Sequence, residues 1–132
     1  MAICTTLCYI EKDDQYLMLL RNKKENDLNE GKWIGVGGKF LEDETPDECL
    51  LREVEEETGL ILDRFALRSI VTFLSDKWET EYMFLYTADR FHGEIKPCNE
   101  GELHWIKKDR ILDLNLWEGD VLFLRPLIQG KK

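Results

Sequence analysis

At 132 residues the chain has the length of one domain, enough to bury an ordinary core without disulfide or metal staples. Its 43% hydrophobic and 34% charged residues exclude a disordered chain, and no run approaches the roughly 20 apolar residues that span a bilayer. The net charge of −9 is concentrated: residues 38–60 carry nine acids against Lys39 and Arg52, or −7, leaving −2 for the rest, a field that repels a nucleic-acid backbone and excludes a duplex partner.

The first residues, Met1-Ala2-Ile3-Cys4-Thr5, lack the charged and long apolar segments of a signal peptide, which points to the cytoplasm. The cysteines at 4, 8, 49 and 98 make no CxxC pair and have only His92 and His104 beside them. A zinc site is not expected on that spacing, and buried reduced thiols are. Residues 3–10 and 16–21 read as strands about the turn Glu11-Lys12-Asp13-Asp14. The polar stretch Asn22 to Lys32 reads as an open loop. Trp33-Ile34-Gly35-Val36 is a short strand running into a Gly37-Gly38 turn.

Thr45 offers an N-cap, with Pro46 at the first helical position and Glu48 three residues on, so a helix is expected from Pro46 to Thr58, ended by Gly59. Cys49, Leu50 and Val54 make its buried stripe, and Glu53, Glu56 and Glu57 lie on a different face. Three strands follow, near 64–75, 80–88 and 101–106, the first two pairing about Ser75-Asp76-Lys77. A short helix near Lys108–Leu112 and a terminal helix from Glu118 to Ile128 complete the chain. One βα unit among antiparallel strands predicts an α/β domain with a mixed sheet.

The chemistry gathers after the glycines. Glu53, Glu56 and Glu57 stand at i, i+3 and i+4, with Glu55 between them. Like charges at that spacing cost a helix about 0.2–0.5 kcal/mol per pair. Hard divalent ions, which prefer carboxylate oxygens, would relieve the repulsion. The glycine loop is neither a Walker A loop nor a dinucleotide fingerprint, because Phe40 follows Lys39 where those motifs need Ser, Thr or a further glycine.

The pattern runs without a gap: Gly38, five residues, Glu44, seven residues, Arg52-Glu53, an aliphatic residue, any residue, Glu56-Glu57, any residue, Gly59, Leu60. These positions fill the Nudix box, and the chain resembles the Nudix hydrolases over residues 1–132, with the box at 38–60. The resemblance implies an α/β/α sandwich with a mixed β-sheet and a Mg²⁺-dependent hydrolase, Mn²⁺ being an alternative ion. Within the box, Glu53, Glu56 and Glu57 would hold the ions, with a main-chain carbonyl of Gly37 or Gly38. Arg52, angled away from that cluster, would orient Glu44. By resemblance Glu53 is the favoured general base, with Glu56 and Glu57 as alternatives. A further acidic ligand from a distant loop would be Glu100, preferred over Glu102 for its spacing to Trp105. Lys39 and Lys23 are candidates for phosphate contact.

Similarity extends, more diffusely, to the MutT-type oxidised-purine nucleoside triphosphate diphosphatases, from the Leu19-Leu20 strand through Lys23-Lys24 to the Trp105 and Trp117 regions. It implies that Trp117 stacks on a base and Asp120 reads a purine edge. Two positions depart from that subgroup: Gly119 replaces the first of two adjacent aspartates, and Ile34 replaces an asparagine. The implied reaction is water attack on a nucleoside triphosphate, of the 8-oxo-dGTP type, giving a monophosphate and pyrophosphate. That is a role in nucleotide-pool sanitation and DNA repair, with a small-molecule nucleotide as substrate and no nucleic acid or membrane as partner. Alternatives are hydrolysis of a pterin triphosphate or nucleotide sugar, and a nucleotide-sensing module without catalysis. Oligomeric state is not legible.

Overall fold

In the computed structural model, which describes residues 2–23, 30–77 and 79–129, the first two apolar runs form strands β1 (Ile3–Lys12) and β2 (Gln15–Arg21). Asp13 and Asp14 join them at φ 51° and 62°, a left-handed geometry that aspartate tolerates and tight hairpins require. The ladder therefore reaches Glu11↔Tyr16 and Lys12↔Gln15, placing in the strand two residues expected in the turn. Of the expected loop from Asn22 to Lys32, residues 24–29 lie outside the described residues.

The glycine segment is where the expectation of a turn fails. After β3 (Trp33–Ile34), strand β4 (Val36–Lys39) contains both Gly37 and Gly38. It pairs antiparallel with β1, Leu7 opposite Gly37 and Thr6 opposite Gly38. A β-carbon on Gly37 would stand 2.0 Å from the Thr6 carbonyl oxygen. Glycine is needed here for close approach of two backbones.

Helix α1 (Pro46–Thr58) starts as its caps dictate. The Thr45 hydroxyl accepts the Glu48 N–H at 3.2 Å and the Glu48 carboxylate accepts the Thr45 N–H at 2.9 Å. It ends at Gly59, φ 84°, whose N–H returns to the Glu55 carbonyl. Strands β5 (Ile61–Phe73) and β6 (Glu81–His92) form a long hairpin that begins earlier and ends later than expected. Bulges between Leu62 and Arg64, Arg64 and Phe65, and Leu67 and Ser69 break the alternation by which the outer half is read. Strand β7 (Gly101–Lys107), helix α2 (Lys108–Ile111) and helix α3 (Glu118–Ile128) follow.

Among the described residues the strands run β3-β2-β1-β6-β5, with β4 on β1 and β7 on β2. Only the β1–β6 pair is parallel, so the sheet is mixed. Alternation along β1 sends Cys8 and Ile10 to one face and Tyr9 to the other. The first face packs Leu17, Val36 and Tyr86 against Leu50 and Val54 of α1. The second packs Tyr16, Met18, Met83 and Leu85 against Ile111 of α2 and Leu124 of α3. Each such buried aliphatic contributes about 1.5–3 kcal/mol. The result is an α/β/α sandwich. No helix among the described residues is long and apolar enough to cross a membrane.

Candidate active site

Pairing with β1 gives β4 two chemical sides. Gly38, opposite Thr6, faces α1, and a β-carbon there would sit 2.5 Å from the Glu53 carboxyl carbon. Glu53 is thus pressed onto bare backbone. Beside it Arg52 does not turn away, as its angular position predicts. Its Nε donates to Glu44 Oε2 at 2.6 Å and its Nη2 to Glu44 Oε1 at 3.0 Å and to the Lys39 carbonyl at 3.0 Å. Its Nη1 reaches Glu53 Oε1 at 2.9 Å and Glu56 Oε2 at 3.1 Å. The long stem lets the guanidinium fold back over the acidic face. Hydrogen bonds from Arg52 first, and the Leu41 N–H second, hold the Glu44 carboxyl down to about 2.

The three glutamates expected on one face divide. Glu56 is exposed, its side chain 60% accessible, and meets the group through Arg52. Glu57 is buried and receives the Gly37 N–H. Its carboxyl also lies beside that of Glu53. Burial, then the neighbouring charges of Glu100 and Glu53, push Glu57 up to about 9. A strand residue turns its N–H and C=O to the same edge, so the Gly37 carbonyl shares the Glu57 side. The Gly38 carbonyl instead accepts from the Cys49 thiol at 3.7 Å. Of the two glycines considered for a main-chain ligand, only Gly37 is oriented for it.

The fold brings in residues distant in sequence. Ligand atoms of Glu57, Cys98 and Glu100 all lie within 4.8 Å of one another, and Arg21 Nη1 reaches Glu100 at 3.4 Å. Glu102 is turned to Asn22 and His104, so Glu100 is the loop acid that joins the cluster. The carboxyl groups of Glu57, Glu100 and neighbouring Glu53, with the Gly37 carbonyl edge, form an oxygen-rich set that suits Mg²⁺ or Mn²⁺. Cys98 escaped the sequence reading, which saw only a buried thiol; its position two residues before Glu100 was the available signal. Cys4, Cys8, Cys49 and Cys98 are all free thiols.

The lysines fall on different sides. Lys23 Nζ donates to the Cys98 carbonyl at 3.2 Å and borders a cleft of about 330 Å³ with Lys96, Cys98 and His104. Lys39 ends the glycine strand and borders another cleft of about 610 Å³ with Ile3, Phe73, Lys77 and Glu81. Trp117, the N-cap of α3, is 40% exposed, with Lys32 Nζ 4.8 Å from its ring centre. Lys32 also binds Asn115 Oδ1 at 3.1 Å and the Leu116 carbonyl at 3.4 Å, which ties this segment to the entrance of β3. Asp120 lies inside α3, buried and making no cap. Burial first, then the charge of Glu81, pushes it up to about 6. Trp117 and Asp120 thus stand on the α3 face of the sheet, and the glutamates on the α1 face.

Residues 4–126 match the family model described as the NUDIX domain. The uncharacterized Nudix hydrolase YvcI of Bacillus subtilis (strain 168) is 29% identical over 131 residues, covering 96% of this chain and 79% of that protein. The oxidized purine nucleoside triphosphate hydrolase of Danio rerio is 31% identical over 116 residues, covering 86% of this chain and 74% of that protein. Among solved structures, the MutT protein of Bacillus halodurans has a TM-score of 0.85 at 27% identity, covering 98% of this chain and 84% of that one.

Proposed function

The chain belongs to the Nudix hydrolase family, enzymes that cut phosphoanhydride bonds, and we propose that residues 1–132 act as one Mg²⁺-dependent nucleoside triphosphate pyrophosphohydrolase in the cytoplasm. The substrate is an oxidised purine deoxynucleotide of the 8-oxo-dGTP type, and the products are its monophosphate and pyrophosphate. Likeness to the oxidized purine nucleoside triphosphate hydrolases of Danio rerio and Mus musculus supports the substrate class. One observation carries the reaction: buried Glu57 lies beside two further carboxyl groups, Glu53 and Glu100. Such a group calls for divalent charge.

Glu53, Glu57 and Glu100, with the Gly37 carbonyl, would hold the ion. When bound, a divalent ion neutralises phosphate charge and makes a neighbouring water more acidic. Glu53 takes the proton of the attacking water, its carboxylate aimed by the Arg52 Nη1 contact at 2.9 Å. Glu44 fixes Arg52 in turn through two bonds. Lys23 and Lys39 offer positive charge to the phosphate chain. Trp117 supplies a stacking face for the base, and Asp120 reads its edge.

The test is a panel of oxidised and unmodified nucleoside triphosphates with Mg²⁺, followed by pyrophosphate release and identification of the monophosphate. The expected result is pyrophosphate from the 8-oxo purine at a kcat/KM at least tenfold above its unmodified parent. Release of inorganic phosphate alone, or equal rates for both, would overturn the assignment.

A further inference from the structure

Cys98 stands in surroundings unlike those of the other two buried thiols. Cys8 packs in the apolar core with Leu50 and Val54. Cys49 meets the Thr6 hydroxyl at 3.5 Å and the Gly38 carbonyl at 3.7 Å. Cys98 is only 5% exposed, yet among the described residues it belongs to neither apolar core. Its sulfur instead neighbours two carboxyl groups, and ligand atoms of Cys98, Glu57 and Glu100 all lie within 4.8 Å of one another. A cysteine serving only as a small apolar filler gains nothing from such neighbours.

The turn that carries Cys98 is held in place from β2. Cys98 bridges antiparallel to Gly101, where a β-carbon would stand 1.8 Å from the Leu20 carbonyl oxygen, so bare backbone seats the turn on that strand. Lys23 Nζ donates to the Cys98 carbonyl at 3.2 Å and the Lys23 N–H to the Glu100 carbonyl at 3.4 Å. Arg21 Nη1 donates to the Glu100 carboxylate at 3.4 Å. Sulfur and carboxylate are thus presented to Glu57 together, with little chain left to order when an ion arrives. Bonds of about 2.3 Å to sulfur and 2.0–2.2 Å to oxygen put ligands on opposite sides of one ion roughly 4.3–4.5 Å apart. Three atoms within 4.8 Å of one another are near that span before any ion draws them in.

We propose that Cys98 is a sulfur ligand of the divalent ion held by Glu57 and Glu100. As the metal–sulfur bond forms, the thiol proton leaves to solvent, and no electron is transferred. The sulfur strengthens the hold on a thiophilic ion such as Co²⁺ or Zn²⁺ and adds nothing for Mg²⁺, which keeps to oxygen. The inference deepens the proposed hydrolase by adding a residue to its ion site, and it fails separately from the reaction.

The experiment titrates Co²⁺ into the full chain. It reads the near-ultraviolet charge-transfer absorption that a cobalt–thiolate bond gives and a cobalt–carboxylate bond does not, with calorimetry of Co²⁺ and Mg²⁺ in parallel. The wild type should show the band. Cys98→Ser and Cys98→Ala should lose it, bind Co²⁺ at least about tenfold more weakly and keep their Mg²⁺ affinity within about threefold. No band in the wild type, a band unmoved by both substitutions, or equal loss of Co²⁺ and Mg²⁺ affinity overturns the inference; the last is what a merely structural thiol would give. If neither variant keeps its fold by circular dichroism, folded Glu57→Gln carries the comparison. A weakened band there supports the inference, and a band of unchanged strength places the sulfur elsewhere and refutes it. Hydrolysis is judged apart: a band without triphosphate turnover supports Cys98 as a ligand while the proposed reaction falls. Turnover with Mg²⁺ and no cobalt band refutes the sulfur ligand and leaves the reaction standing.

Discussion

Arg52 grips Glu44 with two parallel bonds, Nε to Oε2 at 2.6 Å and Nη2 to Oε1 at 3.0 Å, and with its remaining nitrogen holds Glu53. This fork makes the loop before α1 and the acidic face of α1 one unit. Lysine cannot reproduce it. Arg52→Lys and Glu44→Gln should each lower kcat about 10- to 100-fold with KM changed less than threefold, as expected for groups that aim another residue. Steady-state kinetics on both variants checks this.

The two box glycines should fail differently. Ala at 37 drives a β-carbon onto the Thr6 carbonyl, 2.0 Å away, and neither backbone can give. Gly37→Ala should cost at least about 3 kcal/mol of stability, measured by urea unfolding. Ala at 38 meets only the end of the Glu53 side chain, which can swing aside. Gly38→Ala should fold with a near-normal melting temperature and lose about a hundredfold in kcat.

Divalent ions should stabilise the fold through Glu57. With the metal removed, this buried carboxyl sits beside Glu53 and Glu100, and added Mn²⁺ or Mg²⁺ should raise Tm by several degrees. Glu57→Gln should be at least as stable as the wild type without ions at neutral pH, because it needs no proton taken up on folding, and should lose most of the ion-dependent rise. Differential scanning fluorimetry with and without chelator reads both.

Asp120 gives a pH dependence of known sign. It ionises at about 6 when folded against an ordinary 3.8. Between those values the folded state binds more protons than the unfolded one, so its contribution to stability is full below 3.8 and is lost as pH rises through 6. Asp120→Asn should flatten that part of the stability curve, seen as a gain in Tm over the wild type at pH 7.5 that shrinks toward pH 4.

How much of this was legible in the sequence depended on range. The Thr45–Glu48 cap and the Gly59 stop are local, and they fixed α1 to the residue. The Gly37-Gly38 strand was not legible, because the reason for glycine there is Thr6 across a ladder. Helical spacing put Glu53, Glu56 and Glu57 on one side, but it could not say that the sheet would bury Glu57 and leave Glu56 in water. Glu100 was reachable from its spacing to Trp105. Cys98 offered only its position two residues before Glu100, because the fold gives it its neighbours. The bulges of β5 hid the outer half of its hairpin for a related reason, since alternation fails at each extra residue.

The acidic group at the glycine strand is tested most directly by pyrophosphate release at saturating Mg²⁺ from an 8-oxo purine triphosphate, comparing the wild type with folded Glu53→Gln and Glu57→Gln. Turnover should fall by about a thousandfold or more in both variants while circular dichroism stays native. Rates within a fewfold of the wild type in either would contradict the assignment of these carboxylates to the chemistry.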